Sequence, residues 1–309
     1  MIKALVRSAE DLAEVRWKAQ AYYRCLGYYF SIRWNRKRLG DAVEHVLGEF
    51  SVPEDWEERR NPPTPGLPHE YSLIDRGTGS EPRFELLYGA YVIKMSADDA
   101  DVLDRLFGHV NGEVFRRTGD FLMVHAGAVV SPSGEGIIFP GGSGFGKTTL
   151  VAALVREGFG YLSDEIAAID PVARRLYPYP KTLNLKEGSF RLFPDLRARA
   201  GRVPFIRHQW HLRPDDIRAG SVAGPCSIRY VLFPRYDPGV STKVTPISRA
   251  AAVRDMMPGI FNLSMYRGRA LELLSDAVKT ASPYSLVTGD LAAATEAVSA
   301  LTCGNGSPD

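Results

Sequence analysis

Hydrophobic residues near the start of the chain recur at helical spacing. Leu12, Val15, Ala19 and Tyr22 follow one another at intervals of three or four positions, and acidic residues precede them, as is typical of the first turn of a helix. We therefore predict a helix over residues 8–30.

Residues 51–83 show no such periodicity. They are rich in proline, glycine and charge and contain few core-forming residues, which favours a linker or an irregular loop. We accordingly expect two domains: a small N-terminal helical subdomain with its linker over residues 1–82, and a larger domain over residues 83–309.

From Phe84 onward, short apolar runs alternate with turn residues and helical segments. The predicted strands are 84–87, 91–93, 121–130, 136–139, 161–163, 166–169, 176–179, 228–233 and 244–247. Helices are predicted to begin at residue 98 and to cover 149–157, 248–256 and 290–301. Because only a short turn joins strands 121–130 and 136–139, we expect them to be antiparallel. The pattern predicts an α/β fold with a mixed, antiparallel-rich sheet.

A glycine-rich loop follows strand 136–139. Residues Gly141–Thr148 fit the pattern G-x-x-x-x-G-K-[ST] in full. Glycines let backbone N–H groups turn toward phosphate oxygens, and the positive end of the following helix faces the same anion. Lys147 is expected to reach the β- and γ-phosphates, and the Thr148 hydroxyl to bind Mg²⁺. The expected nucleotide-binding residues are Gly142, Ser143, Gly144, Phe145, Gly146, Lys147, Thr148 and Thr149.

Two features near the loop carry further chemistry. Asp164 and Glu165 end a short predicted strand 17 residues after Lys147, where a carboxylate can meet Mg²⁺ or a substrate hydroxyl. The alternative is an ordinary acidic turn. His125 lies in an otherwise apolar strand that should flank the loop strand, and its alternative is a satisfied core histidine.

Composition narrows the classes of partner. A net charge of +2 and a pI of about 8.4 are too mild to indicate nucleic acid as the main partner. No apolar run approaches the ~20 residues that span a bilayer, and the N-terminus does not resemble a signal peptide. We expect a cytoplasmic protein with neither a nucleic-acid nor a membrane partner. The densest basic run, Arg33–Arg38, is either a solvated face or a patch that binds anions or acidic peptides.

Three segments together resemble the catalytic domain of the bacterial HPr kinase/phosphorylase family. They are His125-Ala126-Gly127, the loop Gly141–Thr148, and Leu162-Ser163-Asp164-Glu165. More closely, the chain is similar to the HPr-kinase-related proteins of peptide-natural-product gene clusters, through Pro178-Tyr179-Pro180-Lys181 and the stretch 233–239. The resemblance is clear over residues 120–250 and looser over 85–300. It implies a P-loop core like that of HPr kinase and phosphoenolpyruvate carboxykinase.

The resemblance also implies roles for single residues. Asp164 takes the place of the general base that accepts the proton of a substrate hydroxyl, and Glu165 that of a Mg²⁺ contact. His125 lies near the phosphate site, and Lys186 is a candidate phosphate or substrate contact. The family's Asp-Asp pair is Asp-Glu here, and its later R-G-x-G signature is not found, so HPr is not carried over as the substrate.

The expected function is that of a kinase that uses ATP or GTP with Mg²⁺. Its catalytic residues are Asp164, His125 and Lys147, and its acceptor is a serine hydroxyl of a peptide or protein, such as the C-terminal serine of a lasso-type precursor peptide. Two alternatives stay open: a small-molecule hydroxyl kinase, and a nucleotide-gated binding protein or ATPase without a phosphoacceptor. The hexamers of the HPr kinase family also leave a homo-oligomer open.

Overall fold

The structure, a computed structural model, describes residues 5–54, 69–197, 205–206, 209–266 and 268–303. Its backbone divides into two compact units. Unit 1 comprises Met1–Arg117 and Ala200–His211, and unit 2 comprises Thr118–Arg199 and Leu212–Asp309. The expected domain boundary at residues 82–83 lies between two strands of unit 1 that pair with each other.

Unit 1 is built on a mixed sheet with the strand order β3-β1-β2-β4-β5-β6. Its neighbouring strands are antiparallel except β2 and β4, which are parallel. The elements of its first segment are α1 (Ala9–Ala13), β1 (Ala19–Cys25), β2 (Tyr28–Trp34), α2 (Lys37–Leu47), β3 (Ser51–Val52), β4 (Glu70–Asp75), β5 (Phe84–Tyr88), β6 (Tyr91–Ser96) and α3 (Asp99–Arg117), with a 3₁₀ turn at Gly48–Phe50.

The helix predicted over residues 8–30 is wrong beyond its first turns. Only Ala9–Ala13 is helical, and residues 19–34 form the β1–β2 hairpin. In β2 every second residue from Tyr28 to Trp34 is buried, which is the period of a strand with one face on the core. The aromatic residues of this hairpin also favour strand over helix.

The linker predicted over residues 51–83 is also wrong where the structure describes it. Both β3 and β4 lie in this range, and Tyr71, Leu73 and Ile74 of β4 are buried in the sheet. Residues 55–68 of the predicted linker lie outside the described residues. Unit 1 is therefore organised around a sheet and not around helices.

The basic run Arg33–Arg38 is paired with acids of unit 1. The Arg33 guanidinium lies 3.0 Å from the Glu70 carboxylate, and that of Arg38 lies 2.8 Å from Asp99. These ion pairs favour a structural role over a patch reserved for anions.

Unit 2 contains the larger mixed sheet, with the strand order β11-β10-β7-β8-β15-β17-β16 and with β9 paired to β7. The elements up to residue 197 are β7 (Leu122–Val130), β8 (Gly136–Pro140), α4 (Lys147–Arg156), β9 (Gly160–Ser163), β10 (Ile166–Asp170), β11 (Arg175–Tyr177), β12 (Leu183–Lys186), a 3₁₀ segment (Glu187–Leu192) and α5 (Pro194–Arg197).

The short pair β13 (Phe205–Ile206) and β14 (Gln209–Leu212) comes next and belongs to unit 1 up to His211. The remaining elements are α6 (Pro214–Ile217), β15 (Cys226–Tyr236), β16 (Lys243–Pro246), α7 (Arg249–Met256), α8 (Ala270–Ala277), β17 (Ser282–Thr288) and α9 (Leu291–Cys303), with 3₁₀ turns at Met257–Gly259 and Leu263–Tyr266.

The strands predicted from residue 84 onward are confirmed in unit 1 and unit 2, and the α/β class with them. After residue 84, strands β12, β13, β14 and β17 were not predicted, and the helix predicted from residue 98 extends to Arg117. A core of β7, β10 and β15 side chains packs against α7 and α8, through residues such as Leu122, Val253 and Leu274. Among the described residues, no helix has the length and apolarity to cross a membrane.

Strand directions place the glycine-rich loop at one edge of this sheet. β7 is antiparallel to β8, as the short turn between them predicts, whereas β15 is parallel to both β8 and β17. The carboxyl ends of β8, β15 and β17 therefore share the edge at which the loop begins.

Candidate functional site

The glycine-rich loop joins β8 to α4, and its backbone requires glycine. Gly144 and Gly146 have φ angles of +91° and +86°, in the left-handed region that other residues rarely adopt. α4 begins at Lys147, directly after the loop. Because the first N–H groups of a helix have no partner within it, the loop presents free donors and the positive helix end to one point.

Lys147 folds back over this loop. Its Nζ donates hydrogen bonds to the carbonyl oxygens of Gly141 at 2.6 Å and of Gly142 at 2.8 Å. The residue is 6% exposed. Burial lowers the pKa of Lys147 below its ordinary value, while the charges of Asp164 and Glu165 act in the opposite direction. The ammonium group is thus held at the loop, where phosphate oxygens can replace the carbonyl acceptors.

Asp164 is held by donors on both of its carboxylate oxygens. Oδ2 accepts hydrogen bonds from the Thr148 hydroxyl at 3.2 Å and from the backbone N–H of Asn184 at 3.1 Å. Oδ1 accepts from Lys181 Nζ at 3.3 Å. The Tyr161 hydroxyl lies 3.4 Å from Oδ1 and 2.9 Å from the Lys181 carbonyl oxygen, between which its single hydrogen is shared. The structure thus brings the predicted carboxylate against the predicted loop threonine, in the turn between β9 and β10.

Lys181 connects the two acids. Its Nζ lies 3.0 Å from Glu165 Oε2 and 3.3 Å from Asp164 Oδ1, and it also donates to the Thr182 carbonyl at 3.3 Å. Burial by itself disfavours the charged lysine, but the two carboxylates raise its pKa above the ordinary value. The Lys181 charge in turn lowers the pKa of Glu165. Although closely surrounded, the Glu165 side chain keeps 36% of its surface exposed, against 2% for Asp164.

His125 lies beside the loop because of the register of β7. Its neighbour Ala126 pairs with Pro140, the last residue of β8, and the Ala126 N–H donates to the Glu165 carbonyl at 3.0 Å. The His125 ring lies 5.3 Å from the Phe261 ring. Burial, followed by the charge of Lys147, lowers the pKa of His125, which favours the neutral imidazole.

Lys186 reaches the loop from β12. Its Nζ lies 2.9 Å from Ser143 Oγ, and the Thr149 and Ser189 hydroxyls lie 2.8 Å apart. The predicted site residues His125, Ser143, Lys147 and Lys186 are therefore gathered on one edge of unit 2.

Sequence reasoning missed Lys181 and Tyr161 as members of the site. Lys181 stood within the segment Pro178-Tyr179-Pro180-Lys181, which contributed to the family resemblance, yet the more distant Lys186 was the predicted contact. The position of Lys181 at the end of this segment, directly after Pro180, was the signal that could have identified it.

The donors of this edge suit Mg²⁺ in part. The Thr148 hydroxyl and the Asp164 carboxylate supply hard oxygen atoms, and Mg²⁺ commonly takes one or two carboxylates together with substrate phosphates and water. Among the described residues, no group of three or more His, Cys, Asp or Glu side chains is arranged to hold a metal ion. The donor set therefore fits a cation that arrives with phosphate.

No protein-family model matches this chain, and no curated protein matches it significantly. The contacts within unit 2 therefore carry the functional assignment.

Proposed function

We propose that this protein is a Mg²⁺-dependent kinase that transfers the γ-phosphoryl group of ATP or GTP to a serine hydroxyl of a peptide or protein. Unit 2 would form an HPr-kinase-like core, in keeping with the antiparallel strand β7 before the loop strand. The single observation that supports this most is the contact between Thr148 and Asp164 at 3.2 Å, because it joins a carboxylate to the glycine-rich loop.

The resemblance implies that Asp164 is the general base and Glu165 the Mg²⁺ contact, but the contacts favour the opposite assignment. Asp164 is buried and touches the loop threonine, so it suits a Mg²⁺ ligand together with Thr148. Glu165 is more exposed, so a substrate hydroxyl can approach it. Lys181 contacts both acids and holds them in place, and its charge lowers the pKa of Glu165.

In the proposed reaction the serine oxygen attacks the γ-phosphorus, and the bond from that phosphorus to the β–γ bridging oxygen breaks. The products are a phosphoserine and a nucleoside diphosphate, and the serine proton goes to the Glu165 carboxylate. Loop N–H groups, Lys147 and Lys186 bind and orient the phosphates. Mg²⁺, held by Thr148 and Asp164, would neutralise charge on the phosphate oxygens.

Lys147→Ala tests the triphosphate site. We expect it to weaken Mg²⁺–ATP binding strongly in calorimetry, because the buried cation over the loop is removed. Lys94→Ala, a lysine of β6 in unit 1, is the control and should bind as the unchanged protein does. Equal affinity of the Lys147→Ala variant and the unchanged protein would contradict the proposed site.

Asp164→Asn and Glu165→Gln separate the two acid roles. Glu165→Gln should reduce phosphoryl transfer by about 10²–10⁴-fold with little change in Mg²⁺–ATP affinity. Asp164→Asn should weaken Mg²⁺–ATP binding and raise the Mg²⁺ concentration needed for half-maximal rate. If instead Asp164→Asn abolished transfer with normal binding, and Glu165→Gln were active, Asp164 would be the base.

The acceptor is tested by mass spectrometry. Candidate serine-containing peptides, HPr and small hydroxy-metabolites are incubated with the protein, ATP and Mg²⁺, and the mass gain of one phosphate is measured. Gain on a peptide supports the proposal. Gain only on a metabolite favours the small-molecule kinase, and ATP consumption with no phosphorylated product favours the ATPase.

A further inference from the structure

The loop strand β8 has different neighbours on its two sides. On one side lies the antiparallel β7, and beyond it the β9–β10 turn that carries Asp164 and Glu165. On the other side lie β15 and then β17, both parallel to β8. In α/β sheets ligands bind outside the carboxyl ends of parallel strands. A triphosphate whose γ-phosphate points to the acidic pair therefore has its nucleoside toward the ends of β15 and β17.

Tyr236 stands at that place. It is the last residue of β15, and 51% of its surface is exposed. A Cβ atom built on Gly146 would lie 3.8 Å from the Tyr236 Cβ, so the tyrosine is the neighbour of the last loop glycine. An exposed tyrosine thus begins beside the glycine-rich loop, on the side away from the acids.

The turn after Tyr236 is held firmly to the end of β17. The Asp237 N–H donates to the Thr288 carbonyl at 2.8 Å, and the Gly289 N–H donates to the Val240 carbonyl at 3.2 Å. A Cβ on Gly289 would lie only 2.8 Å from the Val240 carbonyl oxygen and 2.9 Å from that of Asp237. Only glycine permits this close approach, so the backbone that presents Tyr236 has one defined position.

We propose that Tyr236 forms the nucleoside subsite of this protein by stacking its ring on the base of the bound nucleotide. This inference rests on the proposed triphosphate site. Every base offers a π-face, so stacking is tolerant of base identity. ATP and GTP are therefore expected to bind with similar affinity.

The experiment compares ATP with inorganic tripolyphosphate, which carries a triphosphate chain and no nucleoside. Affinities of both ligands, each with Mg²⁺, are measured by calorimetry for the unchanged protein, Tyr236→Ala, Tyr236→Phe and Lys147→Ala. Tyr91→Ala is the matched control, since Tyr91 is a similarly exposed tyrosine (54%) in β6 of unit 1.

We expect Tyr236→Ala to weaken ATP binding by about five- to fiftyfold and to leave tripolyphosphate binding unchanged. Tyr236→Phe keeps the ring and should bind ATP almost normally, as should Tyr91→Ala. Lys147→Ala should weaken both ligands.

Two results would contradict the proposed nucleoside subsite without contradicting the proposed triphosphate site. One is unchanged ATP affinity in Tyr236→Ala while Lys147→Ala loses both ligands. The other is an equal loss of ATP and tripolyphosphate in Tyr236→Ala, which would mean that the loop itself was disturbed. If the unchanged protein bound neither ligand, the triphosphate site and the subsite would fall together.

Discussion

Each unit buries acidic side chains with cations, but the charges balance differently. In unit 1, Glu85 accepts hydrogen bonds from two arginines, Arg7 at 2.5 Å and Arg76 at 2.9 Å. In unit 2, the two acids Asp164 and Glu165 share the single Lys181. The Glu85 carboxylate thus has two cations in direct contact, whereas Asp164 and Glu165 share one, and the charge of Lys147 acts on both acids from the loop.

This difference distinguishes an acid whose oxygens are already satisfied from an acidic pair that suits the proposed site. Arginines around Glu85 saturate its oxygens with directed hydrogen bonds. Asp164 and Glu165 share one directly bound cation, Lys181, and Asp164 also contacts a loop threonine whose hydroxyl can supply a further oxygen ligand. Asp164 and Thr148 together therefore suit a divalent cation that arrives with phosphate, whereas the Glu85 oxygens are already occupied by two arginines.

The largest expected effect is that of removing the shared lysine. Lys181→Met leaves Asp164 and Glu165 in mutual repulsion without their buried partner, and breaking such a pair typically costs about 3–5 kcal/mol. We expect the opening free energy of β7 and β10 to fall by about this amount in native-state hydrogen exchange. Adding Asp164→Asn should recover part of the loss, because one buried negative charge disappears.

The matched control for this prediction is Lys186→Met. Lys186 lies on the next strand and is exposed, so its removal should change the same opening free energy by less than about 0.5 kcal/mol. Equal effects of the Lys181 and Lys186 substitutions would mean that the buried ion pairs are not what stabilises this part of the sheet.

A smaller loss is expected from the arginine-rich cluster. Arg76→Met removes one partner of Glu85, but Arg7 remains, and Arg76 is itself partly exposed. The cost should be about 1 kcal/mol. Tryptophan fluorescence during urea unfolding can follow it, because Trp34 is buried in unit 1. A loss as large as that of Lys181→Met would contradict the distinction between the two clusters.

The smallest effect concerns the pH dependence of Mg²⁺–ATP binding. The pKa of Lys147 is lowered, so as pH rises through that value the lysine loses its charge and the affinity for Mg²⁺–ATP should fall. A plot of log Kd against pH should bend below the ordinary lysine value of about 10.4. Lys186→Met should move the bend upward, since the Lys186 charge contributes to the lowering. A bend at or above the ordinary value would refute this.

Local patterns predicted most of unit 2 because its strands are short apolar runs between clear turns. The loop sequence requires glycine at two left-handed positions and a lysine directly after them, so its position could be read without knowing the fold. Asp164 could be placed near the loop because the turn that carries it follows α4 and β9 directly.

Local sequence patterns did not predict the elements whose structure depends on contacts between distant segments. The spacing of Leu12, Val15, Ala19 and Tyr22 fits a helix by coincidence, while the pairing of β1 with β2 decides the structure. β4 forms a parallel pair with β2 from far along the chain, which no local pattern reveals. Lys181 is buried against Asp164 because the segment that carries it folds back onto β9, where the Tyr179 N–H donates to the Leu162 carbonyl at 2.9 Å. The residues next to Lys181 in the sequence do not indicate a buried ion.

The hydrogen bonds from Lys147 to the carbonyls of Gly141 and Gly142 have a consequence for selectivity. The two carbonyl oxygens compete with an incoming anion for the ammonium group of Lys147, because the anion must displace hydrogen bonds that the ammonium group already makes. The measured affinity is then the difference between two sets of hydrogen bonds. A lone phosphate ion gains little from this exchange, while a chain of phosphates that also reaches the helix amides and Lys186 gains several contacts at once. On the proposed function, the loop would therefore bind a chain of phosphates in preference to a lone phosphate ion.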